Sequence, residues 1–136
     1  MIYVLDTNAV SALMKGSPAV VDRLAATAPT EIAVPQPVLA EIAFGIERLP
    51  RSKRRTSLQA RFDLVAGELP RVEWTDGVSQ AFGRIKATLE RRGTRIEDFD
   101  AAIAAHALAL DATLVTADLD HMIRVPGLRV EDWSHA

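Results

Sequence analysis

The chain's 136 residues suit one domain over 1–136, and with 49% hydrophobic but only 5% aromatic residues its core must be built from Ala, Val, Leu and Ile. The lack of cysteine excludes disulfides, zinc–thiolate centres and cysteine nucleophiles. A net charge of −2, from 16 basic against 18 acidic side chains, argues at first sight against a nucleic-acid partner.

Residues 2–5 form an apolar run that reads as a buried strand. Asp6-Thr7-Asn8 then supplies N-cap candidates for a helix in which Val10, Leu13 and Met14 recur at helical spacing and which Gly16 stops. A second helix starts with Ser17 as N-cap and Pro18 at its first position, and runs to about Thr27. Ile32-Ala33-Val34, bounded by Pro29, Pro35 and Pro37, is the second strand. From Val38 a helix carries Glu41 and closes at Leu49-Pro50. Ser52 to Val65 predicts a basic amphipathic helix with Leu58, Phe62 and Val65 as its apolar stripe. Val72-Glu73-Trp74 alternates like a third strand. Val78, Phe82, Ile85 and Leu89 share one face of the next helix, which Gly93 ends, and Asp98 occupies the N-cap place before a helix over 99–110. Strands over 113–116 and 128–130 follow.

Short apolar strands alternating with helices predict an α/β fold: three layers, α/β/α, around a central, mainly parallel sheet of about five short strands. No stretch approaches the roughly 20 apolar residues that span a bilayer. Met1 to Asp6 lacks the basic n-region and cleavage site of a signal peptide, so a soluble, cytoplasmic protein without a membrane partner is expected.

Four acids stand out by their setting. Asp6 ends the first apolar run, Glu41 lies within Val38-Leu39-Ala40-Glu41-Ile42-Ala43, Asp100 opens an alanine-rich helix, and Asp118 closes Leu114-Val115-Thr116-Ala117-Asp118. In an open parallel sheet, ligands bind beyond the carboxyl ends of the strands. Asp6 and Asp118 follow predicted strands directly, and Glu41 and Asp100 lie early enough in their helices to face the same edge. Several carboxylates converging there need cations, and hard oxygen donors suit Mg²⁺ or Mn²⁺. Taken singly, each has a duller use: Asp6 or Asp98 as a helix cap, Glu41 as a partner of Arg48, Asp118 as a turn former. Residues two apart on a helix diverge by about 200°, so Asp98 and Asp100 cannot easily share one ion, and Asp98 is assigned to the cap. Asp118 is preferred over Asp120 because it follows the strand, with Asp120 left as a water-mediated alternative. Thr7, Asn8 and Thr116 are placed to orient carboxylates or bound water, or simply to cap strand and helix ends. None of His106, His121 and His135 is expected to bind metal, because no two have ligand spacing.

Setting those four acids apart from the 18 leaves 14 against 16 bases, and the bases are grouped. Arg48, Arg51, Lys53, Arg54, Arg55 and Arg61 form a run without an acid; Arg84, Lys86, Arg91, Arg92 and Arg95 follow with only Glu90 between them. Arg51, Lys53, Arg54, Arg55, Arg91 and Arg92 are the candidates for contacting phosphates, against the plainer reading of a solvated helix face.

Leu5-Asp6-Thr7-Asn8, Leu39-Ala40-Glu41-Ile42 with Gly45, Asp98-Phe99-Asp100-Ala101-Ala102-Ile103-Ala104-Ala105-His106, Leu114-Val115-Thr116-Ala117-Asp118 and Val125-Pro126-Gly127-Leu128 through Trp133 together resemble the PIN-domain ribonucleases, specifically the VapC toxins of toxin–antitoxin pairs. The resemblance covers essentially the whole chain. It implies a PIN-like fold, carries Asp6, Glu41, Asp100 and Asp118 onto the family's metal-binding acids, and implies Mg²⁺- or Mn²⁺-dependent cleavage of RNA, often tRNA, in single-stranded or loop regions. It also implies a homodimer held inactive by a VapB-type antitoxin. An inert PIN-like scaffold would be favoured by an incomplete acidic set. An aspartyl-nucleophile phosphatase needs a second Asp two residues after the first, where Asn8 stands, and a phosphate-receiver domain wants a late lysine that is absent here.

Overall fold

Consecutive buried residues in very short strands form the centre of the computed structural model, which describes residues 1–135. β1 (Tyr3–Leu5) is followed by α1 (Thr7–Met14), α2 (Pro18–Ala25), a 3₁₀ turn over Pro29–Glu31, β2 (Ile32–Pro35), α3 (Gln36–Glu47) and α4 (Lys53–Glu68). Then come β3 (Arg71–Val72), α5 (Asp76–Arg91), α6 (Asp98–Ala109), β4 (Thr113–Val115), α7 (Leu119–Met122) and β5 (Arg129–Glu131). The five strands are parallel in the order β3-β2-β1-β4-β5. Every residue of β2 and β4 is buried, as expected of a parallel sheet covered by helices on both faces. Among the described residues no helix is long and apolar enough to cross a membrane.

This strand order creates the place for a site. From β1 the chain steps outward through β2 to β3, then returns to the other side of β1 with β4 and β5. The direction of winding therefore reverses between β1 and β4, and a crevice opens outside their carboxyl ends. Leu5 registers with Val115, and the Asp6 amide donates to the Val115 carbonyl at 3.1 Å. The residues after both strands are thus pinned side by side.

α6 packs against both strands that flank this crevice. Ala101 through Ala107 are all buried, and small side chains let α6 pack closely on β1, β4, α3 and above all α5. Trp74, just before α5, meets His106 at a ring distance of 5.3 Å, while Lys86 pairs with Asp98, so α5 and α6 run antiparallel. Their connection leaves Arg91 and Arg92 at the same end of the pair as Asp100. At the far edge of the sheet Trp133, 1% exposed, closes the core against Tyr3, and the Arg23 guanidinium lies 5.1 Å from its ring centre.

Several boundaries differ from the sequence reading. α3 begins at Gln36 rather than Val38, because a proline in the first turn gives up no intrahelical hydrogen bond, so Pro37 continues the helix. β3 is Arg71–Val72 rather than 72–74; Trp74 leaves the sheet, and its indole N–H donates to Ser79 at 2.6 Å. α4 runs on past Val65 to Glu68, and α2 stops at Ala25. Ser17 precedes α2 without capping it through its side chain. The 3₁₀ turn and α7 were not anticipated, being too short to show a period. Gly16 and Gly93 do end their helices, both in the left-handed region at φ 71° and 68°.

Candidate active site

Asp6 serves two purposes at once. Its backbone is extended and its Oδ1 accepts from the Ala9 amide at 2.8 Å, so it is the N-cap of α1. Its carboxylate is also 4% exposed and close to Asp100 and Asp118. Burial pushes its pKa up to about 6, and the two neighbouring charges add to the rise, while the Thr116 hydroxyl and the Ala9 amide oppose it. Capping and membership of the acidic group, alternatives when the residue is read alone, coexist.

Asp100, in the first turn of α6, is raised by burial and then by the charges of Glu41 and Asp118. Glu41, in the second turn of α3, accepts from the Thr7 hydroxyl at 2.6 Å. That bond spans 34 residues of sequence and fixes the carboxylate from across the crevice. Arg48, the alternative partner of Glu41, instead lies over the Phe44 ring at 5.8 Å. Asp118 is held by its own amide, which donates to the Thr116 hydroxyl at 2.9 Å. Thr116 thus serves both Asp6 and Asp118, whereas Asn8 is exposed on α1 and makes no hydrogen bond to the acids among the described residues.

Two neighbours separate from the group. Asp98 is not the N-cap of α6: Glu97 takes that place without a side-chain bond, and Asp98 is the first helical residue, its carboxylate 3.1 Å from the Lys86 ammonium. An acid in the first turn still gains from the helix dipole, which is why a cap and a first-turn acid look alike in sequence. Asp120 is exposed in the first turn of α7, while one oxygen each of Asp118 and Asp100 falls within 4.8 Å of the other.

The third member of that close trio is His121, which sequence reasoning passed over. Asp118 caps α7, and His121, three residues on, turns its Nδ1 to 2.7 Å from Asp118 Oδ2. The closeness comes from an acid and a histidine at i and i+3 directly after a strand, a spacing that a search for paired histidines does not weigh. His106, by contrast, is fully buried in α6, its Nδ1 2.8 Å from the Ala102 carbonyl, a structural role.

Glu41 and Thr7 also open onto a cleft of about 320 Å³ whose walls carry Lys15, Arg48 and Arg54. Arg54 of the six basic candidates therefore lines the same cleft as Glu41. Arg55 is engaged elsewhere, with Glu47 at 3.1 Å and the Leu49 carbonyl at 3.1 Å. Arg51 and Lys53 are exposed around the start of α4, and Arg91 and Arg92 at the end of α5.

No lysine or arginine among the described residues forms an ion pair with Asp6, Glu41, Asp100 or Asp118. Four carboxylates paired with no lysine or arginine, one of them buried, form a donor set of hard oxygens that fits a divalent cation.

The model of the PIN domain family matches residues 3–128. The chain is 33% identical over 135 residues to Ribonuclease VapC2 of Rickettsia felis, covering 98% of each chain. It is 30% identical to the tRNA(fMet)-specific endonuclease VapC of Salmonella typhimurium, covering 96% of this chain and 97% of that one. Among solved structures, the VapBC2 complex of Rickettsia felis bound to a promoter DNA fragment contains a chain similar to this one at TM-score 0.87 and 30% identity, covering 98% and 99%.

Proposed function

This chain belongs to the PIN domain family and to its VapC ribonucleases, and from that premise we propose that it is a metal-dependent endoribonuclease whose Asp6, Glu41, Asp100 and Asp118 hold Mg²⁺ or Mn²⁺. The observation that carries this reading is the convergence of four carboxylates at the β1/β4 switch point with no lysine or arginine paired to them among the described residues. When bound, the ion would supply an activated water and charge stabilisation for the phosphoryl oxygens.

The chain's own residues set the stage for that chemistry. Burial and mutual repulsion raise the pKa of Asp6 and Asp100, so a bound cation would offset the cost of keeping both ionised. Thr7 keeps Glu41 aimed, and Thr116 fixes Asp6 relative to Asp118. Lys15, Arg48 and Arg54, in the cleft that opens from Glu41, offer positive charge to the strand leading to the cleaved bond. The water oxygen bonds to phosphorus as the bond from phosphorus to the 3′ oxygen breaks, and a proton passes to that oxygen. A 5′-phosphate and a 3′-hydroxyl result.

The substrate is RNA in single-stranded or loop regions, where a phosphate can reach a recessed acidic group and bases are unstacked. The relative named as tRNA(fMet)-specific makes tRNA the first substrate to try. A VapB-type antitoxin is the expected partner, as the similar solved chains are crystallised in VapBC complexes. A largely apolar groove of about 620 Å³ between α3, α4 and Trp74, lined by Pro37, Leu39 and Phe62, supports an extended protein partner, and a homodimer is expected as well.

Purified protein incubated with total tRNA and Mg²⁺ or Mn²⁺ tests the assignment. Cleavage is expected from the native chain and lost in Asp6→Asn and Asp100→Asn; cleavage that persists unchanged in both variants overturns it.

A further inference from the structure

We propose that His121 supplies a nitrogen ligand to the cation held by Asp100 and Asp118, and that this donor tilts the site from Mg²⁺ toward Mn²⁺ and other transition-metal ions. The proposal rests on the metal reading above. Three donor atoms, one each from Asp100, Asp118 and His121, lie within 4.8 Å of one another, although they come from two separate elements, α6 and the start of α7. His121 Nδ1 and Asp118 Oδ2 stand 2.7 Å apart. Neighbouring ligands of a six-coordinate ion of this size, each about 2.1 Å from it, stand about 3 Å apart. The pair is therefore at nearly the separation of two ligands of one ion, and turning the ring and the carboxylate so that both lone pairs converge would exchange the shared proton for a cation.

Position on α7 makes this possible. Asp118 caps the helix through Oδ1, which accepts from the His121 amide at 3.4 Å, leaving Oδ2 toward the ring. The imidazole, with about half of its surface exposed, can reach an ion arriving from solvent. A pure capping pair would need no third partner. Here Asp100 reaches the pair from α6, and no lysine or arginine among the described residues shares the place.

The chemistry of the donor decides the ion. Mg²⁺ takes oxygen ligands and tolerates poor geometry badly, whereas imidazole suits transition-metal ions. A set of carboxylates alone would bind Mg²⁺ and Mn²⁺ comparably, and one nitrogen breaks that parity.

The test is Mn²⁺ bound to the full chain, observed by electron spin echo spectroscopy and by direct titration. A nitrogen coupling to Mn²⁺ is expected in the native chain and absent in His121→Ala. Mn²⁺ affinity is expected to fall by about tenfold or more in that variant, with Mg²⁺ affinity changing far less. His121→Gln, which keeps a polar side chain of similar length, is expected to lose the coupling too. Mn²⁺ that binds without nitrogen coupling, and whose binding is abolished by Asp100→Asn, overturns the role of His121 while sparing the carboxylate site. Absence of Mn²⁺ binding by the native chain, or binding indifferent to Asp100→Asn, overturns both.

Discussion

Replacing Asp6 by Asn should make the metal-free protein more stable while destroying its activity. Asp6 is buried, and its pKa of about 6 lies well above the ordinary carboxylate value. Keeping it ionised near neutral pH therefore costs about 3 kcal/mol, at 1.36 kcal/mol for each pH unit of displacement. Asn carries no charge, and its carbonyl oxygen can still accept from the Ala9 amide, so the cap on α1 survives. The substitution also removes the repulsion from Asp100 and Asp118, whose charges raise the native carboxyl. For a chain of this length, with roughly 2.1 cal/mol/K of unfolding entropy per residue, 3 kcal/mol corresponds to about 10 °C in Tm as an upper figure.

The pH dependence has a definite sign. A carboxyl whose folded pKa is raised binds its proton more tightly folded than unfolded. Its favourable contribution is present at low pH and is lost as pH rises from about 4 through about 6. The native chain should therefore approach Asp6→Asn in stability near pH 4.5 and fall behind it by pH 8. Thermal unfolding in chelator at both pH values measures this, and saturating Mn²⁺ should close the gap at pH 8 by stabilising only the native chain. An Asp6→Asn variant no more stable than the native chain at pH 8 without metal would refute the reasoning, because Asp6 would then be already compensated.

Thr7→Val removes the 2.6 Å bond to Glu41 and should lower kcat about 10- to 100-fold, as loss of a ligand-orienting group does, with Tm nearly unchanged. Asp118→Asn should cost at least as much in cleavage, while Asp120→Asn on the same short helix should leave the rate within about twofold, a contrast read by parallel tRNA assays. Arg54→Glu should raise KM and lower the slope of binding against salt by about one. Arg55→Gln should spare RNA binding, because that side chain is already committed to Glu47 and the Leu49 carbonyl. Trp133→Ala should destabilise the fold by about 3–5 kcal/mol, measured by denaturant unfolding, since it empties a buried site against Tyr3.

Asp6 and Asp118 were legible because an acid directly after an apolar run has few reasons to be there, and strand order placed both at one crevice. Glu41 and Asp100 followed from their positions early in helices, although α3 starts two residues sooner than its prolines suggest. Asp98 misled because cap and first-turn positions favour the same residue types; only backbone angles and the bond to Lys86 separate them. Asn8 was grouped with Thr7 by adjacency, yet successive helical residues point in different directions, and only Thr7 reaches Glu41. His121 stayed hidden because α7 is four residues long, too short for a periodic signal, and its meaning depends on a fold that brings Asp100 alongside. The basic run was visible as charge. Which of its members face the acids was not, since Arg54 and Arg55 are neighbours in sequence and diverge in space.

The chemistry of the cut ends tests the acidic site most directly. Purified chain and tRNA are incubated with Mn²⁺, with chelator, and with Asp100→Asn in place of the native protein, and the new termini are sequenced. Termini bearing 5′-phosphate and 3′-hydroxyl, formed only by the native chain with metal, are the expected result. Cleavage that continues in chelator, or fragments ending in a 2′,3′-cyclic phosphate, would contradict metal-supported hydrolysis by these four carboxylates.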